Sequence, residues 1–416
     1  MKILLVGSGG RESAIAFKIA QNEKVEKIYV APGNGGTATY KKCENVNLTD
    51  IDELLVFAKN NKIDLTVVGP EEPLTNGIVD KFKSEGLKIF GPDKKGAELE
   101  GSKSFSKDFM KKYGVSTAEY EVFYDHKKAK EYLENCNYPI VIKADGLAAG
   151  KGVVICKEKK TALETIDLFM INDVFKGSGK KVVIEEFLEG IEASILSITD
   201  GKRIIPFLSA KDHKQIFDGN KGPNTGGMGV VCPNPYVTEE VLKDFYENIM
   251  DKTLIGIQKE EMDFKGIIFF GIMITKNGVK LLEYNVRMGD PETQSVLTLM
   301  KTDLLDLIEK AIEGKLDNVE VEWEEGYCVN VVISSKGYPG KAETGYEINI
   351  DNEEINNIFI AGAKLEDGKL ITTGGRVLSV VGKGRTLNEA KNNAYKIREK
   401  VNFFGAYCRS DIGSAK

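Results

Sequence analysis

The sequence predicts a multidomain protein of α/β and α+β class: an N-terminal parallel-sheet domain, a second α/β core with a small subdomain, and a C-terminal α+β cap. Short apolar runs alternate with helical spacing through residues 1–100, which is the pattern of parallel strands joined by crossover helices. A chain of 416 residues exceeds what one hydrophobic core usually serves, so two to four domains are expected. After residue 326 the order changes to strands followed by one amphipathic helix. The boundaries expected are 1–102, 103–325 and 326–416.

Taken in order, Ile3–Val6, Lys27–Val30, Leu65–Val68 and Lys88–Phe90 read as strands, and Ser13–Gln21, Asp52–Asn60 and Ile78–Ser84 as helices. The pairs Gly69-Pro70 and Gly91-Pro92 are expected to close two strands. A polar helix over Ser102–Tyr113 leads to strands at Ile140–Ala144, Val153–Cys156 and Lys181–Phe187. Further strands are expected at Ala193–Thr199, Arg203–Ser209, Gly266–Ile274 and Lys280–Val286, with a long glycine-rich loop at Asp218–Gly229. Helices follow at about 237–261 and 292–313, then strands near 327–333 and 376–381 and the helix Leu387–Val401. No internal repeat or low-complexity tract interrupts the pattern.

Composition narrows the function. Hydrophobic residues make up 42% and charged residues 29%, as in ordinary globular proteins. A formal charge of −6 argues against general nucleic-acid or membrane-surface binding. No apolar run reaches membrane-spanning length, and Met1–Gly7 is too short for a signal peptide, so a cytoplasmic protein is expected. The six cysteines form no C-x-x-C pair and read as reduced thiols rather than a disulfide or zinc framework. Only His126 and His213 are present, which excludes histidine-rich metal sites and most catalytic triads.

The richest segment is Leu281–Glu292. If it begins as a strand, Glu283, Asn285 and Arg287 share one face while Leu282, Tyr284, Val286 and Met288 enter a core. A carboxylate and an amide oxygen about 6–7 Å apart along a strand can converge on one hard cation such as Mg²⁺. Arg287 beside them suits a phosphate or carboxylate.

Other segments surround it. Gly7-Ser8-Gly9-Gly10-Arg11-Glu12 opens the first helix and offers free N–H groups to an anion, or is simply a tight turn. As a dinucleotide fingerprint it fails, because Glu12 stands in place of the third glycine. Ala31–Thr37 would share that sheet edge and close over the same ligand, or be only a turn-rich loop. Asp145–Gly152 is one residue short of a P-loop, and Gly152 replaces its Ser/Thr. A hairpin flap folding backbone amides over a triphosphate suits it better, with Lys143 reaching a phosphate oxygen or lying at a solvated edge. Glu185–Gly190 ends a strand where backbone groups can read an adenine edge, with Glu192 on ribose hydroxyls; solvated acidic residues are the plainer reading. Lys211–Lys214 and Gly222–Gly229 carry more glycine than a structural loop requires, which suits close backbone approach to a ligand. His213 is either an acid–base group or a hydrogen-bonded loop histidine.

Together, Glu283-Tyr284-Asn285, the Lys143–Gly152 flap and the Glu185–Gly190 hinge resemble the ATP-grasp superfamily. Gly226-Gly227-Met228-Gly229 and Arg287–Thr293 narrow the resemblance to its glycinamide ribonucleotide synthetase family, over Gly7 to about Gly413. The resemblance implies a pre-ATP-grasp domain, an ATP-grasp core with a lid at about 120–190, and the C-terminal cap. It implies ATP-dependent ligation of glycine to 5-phosphoribosylamine through glycyl phosphate, with ATP as co-substrate and Mg²⁺ or Mn²⁺ as the metal.

By motif position, Glu283 and Asn285 resemble the family's metal ligands. Lys143, Lys103, Gly150, Lys151 and Gly152 match its phosphate contacts, and Glu185, Glu186, Phe187, Leu188 and Glu192 its adenosine contacts. Arg287, Asp290 and Asp212 match its catalytic positions, with Asp212 and Asp290 facing glycine's ammonium. Lys211, His213, Gly226 and Gly227 border glycine; Gly9, Gly10, Asn34 and Gly35 receive phosphoribosylamine. The sequence departs from the family pattern at Gln215, Asn220 and Cys408–Asp411. A monomer is expected, with a dimer as the alternative, and no fused second enzyme. Rival readings are another ATP-grasp ligase such as a carboxylase, an NAD-dependent oxidoreductase, and a non-catalytic nucleotide-binding protein.

Overall fold

The computed structural model describes residues 1–148, 152–351 and 356–414. One sheet runs through nearly all of it. Its 13 strands follow the order Ile358–Ile360, Arg376–Gly384, Tyr327–Ser334, Gly229–Cys232, Ile204–Asp212, Ile191–Thr199, Phe264–Thr275, Ile89–Pro92, Leu65–Val68, Lys2–Gly7, Lys27–Pro32 and Cys43–Asn45, with Gly278–Asn285 added on Phe264–Thr275. The N-terminal strands pair in parallel and the rest antiparallel.

Phe264–Thr275 holds the two halves together. Its first two residues pair with Pro92 and Gly91 of the parallel sheet, its length with Ile191–Thr199, and its other edge with Gly278–Asn285. The Gly91-Pro92 pair thus closes its strand, as expected, and also pairs with the start of Phe264–Thr275. Proline serves here because it lies at the end of its own strand, where the lost N–H is least costly. Of the C-terminal strands, Tyr327–Ser334, Ile358–Ile360 and Arg376–Gly384 extend the central sheet, while Ala363–Glu366, Lys369–Thr372, Glu347–Ile350 and Val401–Asn402 form a separate four-stranded sheet of the C-terminal α+β region.

A second sheet of four strands, Tyr120–Phe123, Val182–Glu186, Ile140–Ala144 and Val153–Cys156, stands apart from the first. The helices His126–Leu133 and Lys159–Ile166 pack on it around their own core of Ala129, Leu133, Ile142, Ala162 and Ile184. These residues coincide with the expected lid.

Three expectations need correction. The apolar stretch 292–313 forms two helices, Glu292–Leu299 and Leu304–Glu313. Met300 is extended, and Asp303 caps the second helix by accepting from the amide of Asp306 at 3.0 Å. The glycine-rich Asp218–Gly229 is only partly loop, because Lys221–Asn224 pairs with Gln215–Phe217 as a hairpin. Leu282 does not enter the core. The register jumps from Gly271↔Glu283 to Ile272↔Leu281, so Leu282 is a bulge residue and the fully buried residue is Leu281. A bulge twists its strand and re-aims the side chains beyond it; here those are Glu283 and Asn285. Tyr284 is buried as expected, its hydroxyl 2.7 Å from Thr253 Oγ1.

The helix Leu387–Glu399 approaches Arg376–Gly384 closely because Gly382 faces Ala390 and Ala394. A Cβ on Gly382 would stand 2.1 Å from the backbone nitrogen of Ala394. Backbone cannot step aside as a side-chain tip can, so Gly382→Ala is expected to destabilise the protein by about 2–3 kcal/mol, measured by denaturant unfolding. A change below about 0.5 kcal/mol would show that this helix adjusts freely.

Candidate active site

Glu283 and Asn285 lie on one face of Gly278–Asn285, as predicted. Among the described residues, the Glu283 carboxylate has no hydrogen-bond or ion-pair partner. Burial raises its pKa, but Lys103, Lys143, Lys214 and Arg287 outweigh burial and hold the carboxyl below its ordinary range. Asn285 Oδ1 accepts one bond, from Arg287 at 2.9 Å, which leaves an amide oxygen its second lone pair. No group of three or more His, Cys, Asp or Glu suited to a metal occurs among the described residues. Two protein oxygens with the remainder supplied by phosphate and water is how Mg²⁺ is commonly held beside a nucleotide, so the donor set fits a divalent cation.

Arg287 is less available than the sequence suggests. Its guanidinium contacts Glu71 at 3.2 Å and Glu100 at 2.7 Å, besides Asn285. Burial lowers its pKa, and Glu100 and Glu71 more than restore it. Glu100 also accepts from the amide of Val286 at 2.8 Å. Arg287 therefore orients the amide donor and ties this strand to the N-terminal region.

The nucleotide elements converge from the other side. Glu185, whose side chain is 2% exposed, lies between Lys107 at 3.1 Å and Lys143 at 3.0 Å. Lys143 also donates to the Leu282 carbonyl at 3.1 Å, the peptide freed by the bulge. Lys107 donates to Thr117 Oγ1 at 2.8 Å; burial and neighbouring Lys143 depress its pKa to about 8 against the pull of Glu185. The Lys103 ammonium has no partner among the described residues. Asp145 accepts from the Ser104 amide at 2.7 Å and pairs with Lys181 at 3.0 Å, which anchors the flap to the start of helix Lys103–Tyr113. A Cβ on Gly152 would meet Ala148 at 2.6 Å; Gly150 and Lys151 lie outside the described residues. Glu186 bonds with both backbone groups of Glu119, Phe187 and Leu188 are half-buried beyond it, and Glu192 pairs with Lys214 at 2.6 Å.

Asp212 and Glu292 form a second acidic pair. Asp212 Oδ1 is buried and accepts nothing, and burial followed by repulsion from Glu292 raises its pKa well above normal. Burial also raises Glu292, which accepts from Ser194 Oγ at 3.0 Å. Gly227, at φ +112°, leaves room for them: a Cβ there would come within 2.7 Å of Asp212 Oδ1. The amide of Gly226 donates to the Tyr338 hydroxyl at 2.9 Å and its carbonyl accepts from Arg376. Lys211 stacks over the Tyr236 ring at 4.5 Å.

The first helix does not offer its amides as expected. Gly9 N–H donates to Glu12 at 2.6 Å and Arg11 N–H to Asp290 at 3.3 Å, so two protein carboxylates take places proposed for substrate. Glu12 is 1% exposed, and Gly7 and Gly69 clear space for it: a Cβ on Gly69 would lie 1.9 Å from its Oε1. Asp290 also accepts from Gln294 at 3.0 Å and lies 3.6 Å from Arg376. A cleft of about 820 Å³ opens beside this cluster, lined by Gly9, Asn34, Asp290, Tyr338, Lys364 and Arg376 among others. Gly10 and Gly35 line no part of it; their missing side chains admit Gln294 and Leu370 instead. The Asn34 amide bonds with Ser8, Ser13, Gly36 and Ile360, so Asn34 shapes the wall.

Glu71, Glu100, Lys107, Glu292 and Arg376 escaped the sequence reading. Arg376 had a local signal, the glycine pair Gly374-Gly375 before a basic residue. Glu292 stood inside the marked Arg287–Thr293 motif without being given a role, while Glu71, Glu100 and Lys107 act through partners distant in sequence and their own neighbourhoods carry no mark.

This lid, cation-lined cleft and paired oxygen donors define an ATP-grasp ligase. The chain matches three family models described as the N domain (residues 1–100), the ATP-grasp domain (101–293) and the C domain (328–415) of phosphoribosylglycinamide synthetase, and it belongs to that family. A protein of Clostridium acetobutylicum named phosphoribosylamine–glycine ligase is 66% identical over 416 residues, covering 100% of both chains. One of the same name from Fusobacterium nucleatum is 54% identical, covering 100% of this chain and 98% of its own. The crystal structure of phosphoribosylamine–glycine ligase from Thermotoga maritima aligns with TM-score 0.88 at 37% identity, covering 99% of this chain and all of that one. The biotin carboxylase domain of Hydrogenobacter thermophilus 2-oxoglutarate carboxylase, in complex with MgADP, shares the fold at TM-score 0.74 and 16% identity, covering 98% of this chain and 91% of its own.

His213 offers a test of this electrostatic setting. Its Nδ1 lies 3.1 Å from the Gly229 carbonyl, an acceptor, so Nδ1 carries the hydrogen. Burial depresses its pKa to about 4, with Arg409 and Lys211 adding to burial and the Gly229 bond opposing it. The unfolded chain, with a histidine pKa near ~6.5, then binds the extra proton between these values. Stability should rise with pH across that window and level off above it. His213→Asn should flatten the slope of unfolding free energy from pH 4.5 to 6.5; a slope equal to the parent's would mean His213 is not held neutral.

Proposed function

We propose that this protein joins glycine to 5-phosphoribosylamine through glycyl phosphate, converting ATP to ADP and phosphate and forming glycinamide ribonucleotide, the second step of purine biosynthesis. The observation that carries this reading is the Asp212–Glu292 pair. Two carboxylates that repel one another in a buried place call for a cation, and an ammonium group supplies one. Bicarbonate, the natural rival substrate on this fold, would add a third negative charge. Asp290, expected beside Asp212, is already matched by Arg376, so Glu292 takes its place in this reading.

In the first step a glycine carboxylate oxygen attacks the γ-phosphorus, the bond to the β-phosphate oxygen breaks, and ADP leaves. Asp212 and Glu292 hold the ammonium, Arg287 and the Lys211–His213 segment steady the carboxylate, and Gly226 and Gly227 close the pocket. Lys103 and Lys143 meet the phosphates, Glu185–Leu188 the adenine and Glu192 the ribose. A divalent cation, which we take to be Mg²⁺ with Mn²⁺ as the alternative, would be held by Glu283 and Asn285 and would neutralise charge on the transferring phosphoryl group. The phosphoribosylamine nitrogen then attacks the acyl carbon, phosphate leaves, and the nitrogen sheds a proton. The 820 Å³ cleft suits that sugar phosphate, with Lys364 and Arg376 as its cations. The lid over the acyl phosphate keeps water from hydrolysing it. Free thiols at all six cysteines support a cytoplasmic setting, and a monomer suffices for this chemistry.

Release of ADP should require glycine and phosphoribosylamine together, and Asp212→Asn should raise KM for glycine by about tenfold or more with KM for ATP little changed. Bicarbonate-dependent turnover would contradict the assignment. Glu283→Gln should lower turnover by at least roughly a hundredfold with the fold intact; turnover near the parent's at saturating Mg²⁺ would remove Glu283 from the metal site.

A further inference from the structure

The strand Ile204–Asp212 ends at Asp212, paired with Val230; the chain then passes through His213 and Lys214 into the hairpin Gln215–Asn224, and this hairpin has almost no core. Ile216 is buried, while Phe217 and all of Lys221–Asn224 are exposed. Two short strands cannot hold a shape alone in water. What holds this one comes from about 190 residues away.

Tyr407 OH donates to the Ile216 carbonyl at 3.0 Å, and its ring meets Phe217 edge-on at 6.4 Å. Arg409, completely buried, donates to the Gln215 carbonyl at 3.0 Å. Its other nitrogens take both oxygens of Asp411 at 2.7 Å. Asp411 in turn accepts from the Gly219 amide at 2.8 Å. Asp218 accepts from the Ser410 amide at 2.9 Å and from the Ser410 hydroxyl.

The clasp is itself fixed to the C-terminal core. Tyr395, on the helix Leu387–Glu399, donates to the Arg409 carbonyl at 2.8 Å and accepts from the Ile412 amide at 3.2 Å, and Ile412 is fully buried. On the hairpin's other side backbone hydrogen bonds lead directly to the site. The Thr225 amide donates to the Lys214 carbonyl at 2.7 Å and the Met228 amide to the His213 carbonyl at 2.9 Å. Lys214 pairs with Glu192. Burying an arginine is costly unless every hydrogen bond is met, and here one guanidinium satisfies the hairpin, the clasp and its own charge together.

We propose that Arg409, with Ser410 and Asp411, is a positioning device for the substrate loop: it sets the chain at His213, directly after Asp212, for glycine without touching the reactants. This rests on the glycine site assigned above. The test uses Asp218→Ala with Ser410→Ala, which cuts the exposed part of the clasp and spares Arg409, alongside Arg409→Lys. The double variant should keep a melting temperature within a few degrees of the parent's. Its amides in 215–224 should exchange hydrogen faster, and its KM for glycine should rise about tenfold while KM for ATP moves less than about twofold. Arg409→Lys, which loses the two-pronged bond to Asp411, should shift the same two readouts in the same direction.

Faster exchange with an unchanged glycine KM would reduce the clasp to a structural role and overturn the proposal. Unchanged exchange would overturn it too. If the parent itself shows no glycine-dependent ATP cleavage, the functional reading fails, and the proposal for glycine falls with it; the exchange data then still report whether the clasp holds the loop.

Discussion

The Asp290 carboxylate is the point on which the arrangement depends. It receives the Arg11 amide from the first helix, the Gln294 side chain from helix Glu292–Leu299 and the charge of Arg376 from the C-terminal region. Asp290 itself lies in the matched ATP-grasp part, Arg11 in the N part and Arg376 in the C part, so all three meet at this carboxylate. A buried carboxylate without them would be strongly disfavoured. With them it aligns the helix end, the strap between strand Gly278–Asn285 and helix Glu292–Leu299, and the wall of the large cleft. Arg287 performs a parallel task three residues earlier, drawing Glu71 and Glu100 to the end of that strand.

Around these two points the charges are arranged by sign. Glu283 stands among four cations and stays ionised, whereas Asp212 and Glu292 stand together and resist ionisation. On the reading proposed above, this prepares one carboxylate for a metal ion and two for an ammonium group, a division produced by surroundings because the side chains are chemically alike. Burial is common to all three; the difference lies in whether lysines or another acid come nearest.

Much of this was legible in the chain itself. The alternation of apolar runs located the parallel strands of the first hundred residues, because strand and helix periods differ and the region is regular. The two-residue spacing of Glu283 and Asn285 placed both on one face for the same reason. Leu282 was misread because a bulge shifts the period by one residue, and it depends on a partner strand the local sequence does not describe. The amides of the first helix were read as free because Asp290 lies 279 positions away. Glu71, Glu100 and Lys107 were overlooked on similar grounds: an ion pair closed by folding leaves no periodic trace. The hairpin in Asp218–Gly229 hid beneath its glycines, which signal turns more loudly than short exposed strands signal pairing.

The four-stranded sheet of Tyr120–Phe123, Val182–Glu186, Ile140–Ala144 and Val153–Cys156 shares no ladder with the long one. Polar contacts tie it to the rest, with Glu185 on Lys107, Lys143 on the Leu282 carbonyl and Asp145 on the Ser104 amide. The cleft assigned to the sugar phosphate, by contrast, has its walls in the continuous sheet and the elements packed on it. On the reading proposed above, nucleotide and sugar phosphate therefore lie against different sheets, and the wall that receives one is built without the other.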